Sequence, residues 1–430
     1  MSGAGEARRR ASEAHGAATG VRQHIAVLLP VALAEDPPWA AGPLPFEVGP
    51  RIADADGRRG LFTSAAARAL YDRRWHLRTS RAEGPLRLDG MELLRTPTAR
   101  SPERALAVLH FTVADGTPVL PLLRAVSHRR QAGPDPLGGA MAPAALLDGV
   151  ADTAAPAGPF ALSRPYTVTF LTPGPALGPL ALRDPDTGEL PAGSDDFLRS
   201  LASRSVPDDL PLAPEALPEL RAAVRRISAD WSALVLRQGA AFLGHRPDTG
   251  AGDFYDWAEY NARTVYLDAL LLGTAQRDRI DELTDDLSAV FEGPGLARRV
   301  AALEQHIALF RSTLWRQHLS AHGPANDLLV AFQAEHRLPE RFEQILAEAA
   351  DYARLVQTQE SQQIAGALGV LTVLGLPLGT ALSVLQVLGD SHPWHLALAL
   401  GASLAATAAA LTTRYGRLVV SSLRGGARRR

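Results

Sequence analysis

IAGALGVLTVLGLPLGTALSVLQVL (residues 364–388), then GDSHP (389–393), then WHLALALGASLAATAAALTTRY (394–415), is the stretch on which the reading of this chain turns. No charged residue occurs from Ile364 to Leu388, and from Trp394 to Thr413 the single titratable side chain is His395. A bilayer crossing needs ~20 mostly apolar residues, and both runs reach that length. Lipid admits only helices and closed barrels, because every backbone amide must be satisfied internally. The pattern predicts a C-terminal two-helix transmembrane hairpin, with spans at 364–388 and 394–413. Arg414, Arg417, Arg424 and Arg428–Arg430 follow the second span, whereas the loop between the spans holds Asp390 and no arginine. The positive-inside rule then places the basic tail (414–430) and the N-terminal body in the cytoplasm of a bacterial inner membrane, with the lipid bilayer as a partner. Trp394 and Tyr415 bracket the second span as interfacial aromatics do.

Working outward, composition removes several function classes. Lys+Arg number 44 and Asp+Glu 46, so no general nucleic-acid affinity is implied. There is no cysteine, which excludes disulfides, thiol nucleophiles and cysteine-ligated metal centres. There is also no lysine, which excludes a Walker A loop, a pyridoxal Schiff base and a kinase-like site. No HExxH, GxSxG, GxGxxG or paired-carboxylate setting is found, so the chain reads as a non-enzyme. Residues 1–20 have a basic start without an apolar core and read as a disordered tail, not a signal peptide.

Residues 21–245 alternate short apolar runs with Pro/Gly breaks. Strands are expected at 22–29, 74–78, 86–93, 105–113, 166–171 and 232–236, and helices at 64–72 and 217–229. Residues 174–205 read as a proline-rich surface loop. From Asp253 the spacing turns helical, with stops at Gly293-Pro294-Gly295 and His322-Gly323-Pro324. Pro339 stands where a first-turn proline belongs, and a helix of ~75 Å is expected from there to Leu388. The fold class is thus α+β: a cytoplasmic α/β domain, a long-helix stalk region (253–363) and the transmembrane hairpin.

The last long helix carries a seam. Phe342, Ile345, Ala349, Tyr352 and Val356 recur at three- and four-residue steps. The same steps continue to Gln359, Gln363, Gly366, Val370, Val373, Pro377, Thr380 and Val384. Such a seam suits a parallel bundle of identical helices, and these residues are the pore-lining candidates. This order of elements, with Leu371-Thr372-Val373 and Leu376-Pro377-Leu378 in the first run, resembles the CorA family of magnesium transporters. The resemblance implies a homopentamer with a pore of first spans. The family's Gly-Met-Asn motif is absent; Gln386, Val387 and Leu388 stand there, and no methionine follows Met141. Gln386, Asp390 and His392 are the outer-mouth candidates. A second stretch, Tyr260 to Leu270 with Asn326-Asp327-Leu328-Leu329 and His336-Arg337-Leu338-Pro339, is similar to actinobacterial proteins associated with caspase-like and TPR-repeat proteins in conflict (immunity) systems. Two functions stay open: a cation channel or transporter of altered selectivity, and a membrane-anchored sensor or effector that does not transport.

Further candidates are few. Asp278, Asp281, Glu282, Asp285 and Asp286 form the densest acidic face; it is either a weak divalent-cation site or a solvated helix face. His318 and His322 lie one turn apart without a third ligand nearby. Arg263 and Asp268 are expected as a structural pair.

Overall fold

The computed structural model describes residues 13–49, 51–96, 103–127, 138–153, 165–208, 210–250, 252–316, 318–321, 323–388 and 393–412. The chain divides into two compact units, Met1–Ala289 with Leu303–Leu346, and Val290–Ala302 with Ala347–Arg430. Strands of the first unit are β1 (Gly20–Leu33), β2 (Ala40–Ala41), β3 (Phe46–Val48), β4 (Arg51–Ala53), β5 (Arg74–Glu83), β6 (Leu86–Arg95), β7 (Glu103–Val113), β8 (Tyr166–Pro173), β9 (Arg225–Ser228), β10 (Trp231–Val235) and β11 (Gly239–Gly244). Nine of them form one sheet in the order β2-β5-β6-β7-β1-β8-β11-β10-β9, and β3 pairs with β4. β8 and β11 run parallel. The helices are α1 (Ala55–Gly60), α2 (Ser64–Tyr71), α3 (Val119–Ser127), α4 (Ser194–Ser203), α5 (Leu217–Ala223), α6 (Phe254–Arg263), α7 (Val265–Ser288), α8 (Leu296–Thr313), α9 (Gly323–Glu335), α10 (Leu338–Leu388) and α11 (Pro393–Thr412).

Strand alternation sorts the central residues into two buried faces. Ile25, Val27, Leu29 and Val31 of β1 join Ala105, Ala107, Leu109 and Phe111 of β7 in one core, which Phe197, Leu198 and Leu201 of α4 enter. On the other face Trp231 and Phe242 meet Tyr266 of α7, with ring centroids 5.7 and 5.9 Å apart. Covering both faces explains why β8 is buried throughout, its threonines Thr167, Thr169 and Thr172 as well as Tyr166, Val168 and Phe170. The expected strands at 22–29, 74–78, 86–93, 105–113 and 166–171 lie inside β1, β5, β6, β7 and β8.

Elsewhere the structure departs from expectation. Residues 217–229 are not one helix: α5 ends at Val224, whose extended backbone (ψ 122°) opens into β9. Residues 174–205 are not a loop throughout, because α4 lies within them. The expected continuous helix after Asp253 breaks at Thr264 (φ −123°, ψ −91°), whose hydroxyl donates to the Tyr260 carbonyl.

The largest correction concerns the C-terminal stretch. Both runs are helical, within α10 and α11, but among the described residues no helix is long and apolar enough to cross a membrane. The architecture is therefore mixed α/β with long helices. The transmembrane hairpin, the inner-membrane location and the membrane-transport vocabulary that followed from it are withdrawn. The expectation had rested on the length of the two apolar runs and their lack of charge, and small and polar residues interrupt both. Gly366, Gly369, Thr372, Gly375, Gly379, Thr380, Ser383 and Gln386 punctuate the first run, and Gly401, Ser403, Thr407 and Thr412 the second.

One half of the sheet is tied to α7 by buried charge. The side chains of Arg58, Arg74, Glu92 and Asp268 are all inaccessible to solvent. Asp268 accepts from Arg58 Nη2, Arg74 Nη1 and the Tyr71 hydroxyl, each at 2.7 Å. Arg58 also donates to the Leu44 carbonyl at 3.0 Å, while Arg74 Nε donates to Glu92, which His110 contacts at 2.8 Å. Burial alone would raise the Asp268 carboxyl; Arg58 and Arg74 hold it below its usual range. The expected Arg263–Asp268 pair does not form, since Arg263 bonds to Asp89 and Glu259 instead. Asp268→Ala would leave the buried Arg58 without a carboxylate and Arg74 with Glu92 alone, so it should cost about 3–5 kcal/mol in urea-induced unfolding. A loss below about 1 kcal/mol would mean that solvent or other partners already compensate those charges.

Candidate anion-binding site

At one end of the sheet five arginines converge. A hollow of about 610 Å³ is lined by Arg204, Arg237, Arg277, Arg337 and Arg341, with Asp281 and Glu340 as its carboxylates and His336, Gln238 and Gln344 among the rest. Each comes from a different local device. Arg204 caps the C-terminus of α4, Arg237 and Gln238 sit in the turn between β10 and β11, and Arg277 and Asp281 lie one turn apart on α7. His336 and Arg337 make the corner between α9 and α10, and Glu340, Arg341 and Gln344 follow on the first turns of α10. Gly273 lets α9 come close to α7: a Cβ there would lie 2.7 Å from the Phe332 ring, so the corner residue His336 is seated by that approach.

Backbone strain concentrates at the same place. Among the described residues, the non-glycine positions with positive φ are Arg204 (60°) and Arg337 (52°), and both line this hollow. Such a conformation costs of order 1–3 kcal/mol where a glycine would do as well. At Arg337 it ends α9 as a left-handed cap, and the Arg337 carbonyl then accepts from Arg341 N at 3.1 Å, starting α10. The start of α10, whose Glu340, Arg341 and Gln344 line the hollow, carries the positive end of the helix dipole.

The electrostatics follow from this crowding. Arg341 bonds to Asp281, Arg277 to Asp278 at 3.2 Å, and Arg237 Nε to the Glu335 carbonyl at 3.1 Å. Arg204 Nη1 donates to the Pro165 carbonyl at 2.8 Å. Arg337 makes no ion pair among the described residues and is exposed. Burial, then Arg277, Arg237 and Arg341, push His336 down to about 3, so its ring is neutral near neutral pH. That ring packs 4.4 Å from Phe332. The assembly is a cationic concavity with an uncharged aromatic wall.

The residues singled out from sequence lie elsewhere, except Asp281. Gln359, Gln363, Gly366, Val370, Val373, Pro377, Thr380, Val384 and Gln386 are all on α10 in the second unit. There Gln363 is exposed, and the Thr380 hydroxyl lies 3.3 Å from that of Ser403. Asp390, His392 and His322 lie outside the described residues, and His318 is exposed. The acidic face is engaged with cations: Asp278 with Arg277, Asp281 with Arg341, Glu282 with Arg279 and Asp286 with His306. Among the described residues no group of three or more His, Cys, Asp or Glu side chains could hold a metal ion.

Two other hollows are less suited to a ligand. One, at His24, His110 and Arg263, holds about 20 Å³, room for roughly one water. The other, about 500 Å³ beside Phe46, sets Arg78, Arg87 and Arg263 against Glu47 and Asp89, so its charges largely cancel. Compared with known proteins, the chain matches no family model, no curated protein and no solved structure. The cationic hollow was missed in the sequence because its arginines are scattered from 204 to 341. The one local sign was His336-Arg337-Leu338-Pro339, an arginine two residues before a helix-starting proline.

Since cations help to hold His336 down, Arg277→Gln should raise its titration above about 3, with burial keeping it below the usual 6.5. An NMR titration of the His336 ring protons checks this. An unmoved midpoint would place Arg277 too far away to act.

Proposed function

We propose that the chain is a ligand-binding sensor whose first unit captures a small anion of the phosphate type at the start of α10. The observation that carries this is five arginines sharing one hollow with two carboxylates. Its volume of about 610 Å³ lies within the ordinary range for small-molecule sites. Guanidinium forks match phosphate oxygens in pairs and keep their charge at any physiological pH. The helix start adds amides and a favourable dipole. α10 runs from this site at Leu338 to Leu388.

Both readings left open by the sequence used the C-terminal hairpin in a membrane; the sensing role is kept and the membrane anchor is dropped. The similarity around Tyr260–Leu270 and His336–Pro339 suggests a role in a conflict system, with output to a caspase-like or TPR-repeat partner. Phe342, Ile345 and Ala349 of the α10 seam are buried within the chain, so the homo-oligomer reading rests on the seam beyond Tyr352.

Calorimetric titration of the full chain with pyrophosphate and with ATP tests the binding. Arg337→Asn removes a charge while keeping a residue that tolerates positive φ. It should weaken binding about 10-fold or more, the size of one charge-assisted hydrogen bond. Absence of binding to either probe, or equal affinity in the variant, would overturn the proposal.

A further inference from the structure

Arg341 reaches the hollow with its guanidinium a third exposed, yet its nearest partner is an internal carboxylate, Asp281, that is 7% exposed. Asp281 thus sits behind the arginine and offers it the oxygens a ligand would offer. Asp281 is poorly supported in this place. Burial and the neighbouring Asp285 raise its carboxyl above the usual range despite Arg341 and Arg277, and Asp278 lies one turn away on the same helix. Resting on the anion-site reading, we propose that Asp281 is an internal stand-in for the ligand: a phosphate-type anion takes its place on Arg341 and opens the Arg341–Asp281 clasp.

The clasp joins α7 to the first turns of α10, since Asp281 belongs to one and Arg341 to the other. Ligand capture would exchange a helix-to-helix bond for a helix-to-ligand bond, and so change what restrains the beginning of α10. The same exchange sets a threshold for the ligand, because an anion must outcompete a carboxylate already in place. A diphosphate, with more charge and more oxygens than a carboxylate, meets that condition; a lone carboxylate such as acetate only matches the group it would displace.

The test is a double-mutant cycle with pyrophosphate as the probe, read by calorimetry on folded full-length protein. Asp281→Asn removes the competitor and should tighten binding about ten-fold. Arg341→Gln should weaken it, and adding Asp281→Asn to that variant should recover little, because the competed group is gone. Equal tightening by Asp281→Asn with and without Arg341 would mean that only general field strength changed, which overturns the clasp. So would weaker binding in Asp281→Asn, since Asp281 would then be positioning Arg341 for the ligand. As a measurement free of variants, the Asp281 carboxylate carbon resonance should shift when the wild-type chain is saturated with pyrophosphate, and a stationary resonance counts against the exchange. Absence of pyrophosphate binding in every protein removes the anion site itself, an outcome distinct from binding without the Asp281 effect.

Discussion

Asp268 is the constraint around which the first unit is arranged. An ionised carboxylate without solvent is costly, and two guanidinium groups placed against it are costly too. Only their mutual placement makes any of them tolerable, so α1, α2, β5 and α7 must meet at one geometry. Glu92 and His110 extend the requirement into β6 and β7. Apolar packing would accept small shifts of α7 along the sheet; this cluster does not. The fixed register of α7 then decides what appears nine and thirteen residues further along, about 13 and 20 Å down the helix, where Arg277 and Asp281 face the hollow.

The hollow is thus downstream of a stability device and not a part of it. It is assembled from helix ends and a hairpin turn, where chain direction changes, set against Arg277 and Asp281 in the middle of α7. Two of its arginines occupy backbone conformations that glycine or asparagine would adopt more easily. Such strain is kept where surrounding structure over-determines it, and its coincidence with like charges is what separates this hollow from the one beside Phe46. There, arginine and carboxylate are interleaved and answer each other.

Much of the sheet was readable from residue order because its central strands are largely buried and rich in branched side chains, whereas β5 and β9 are mostly open to solvent. β11 escaped notice because Gly239-Ala240-Ala241 has little side chain to pattern, and it is held by its neighbours β8 and β10. α4 escaped because prolines and charges on either side masked a short apolar stripe at Phe197, Leu198 and Leu201. The acidic face of α7 was visible as a run, but its partners, Arg341 and His306, are distant in sequence and no spacing announces them. The C-terminal helices were legible as helices, but the membrane crossing expected from their length and lack of charge was not borne out.

The all-arginine composition has a consequence for proton bookkeeping in this fold. With no ammonium groups on side chains, every fixed positive charge is effectively permanent, and only carboxylates, histidines and phenols can change state. Histidines His24, His110, His245 and His336 are held neutral by burial, and Tyr71, Tyr166, Tyr255 and Tyr266 are pushed up. Few groups in the folded first unit are therefore left to exchange protons between neutral and mildly alkaline solution. Its potential there is set by covalent structure, much as a fixed-charge resin's is, and counter-ions are the main variable that can alter it.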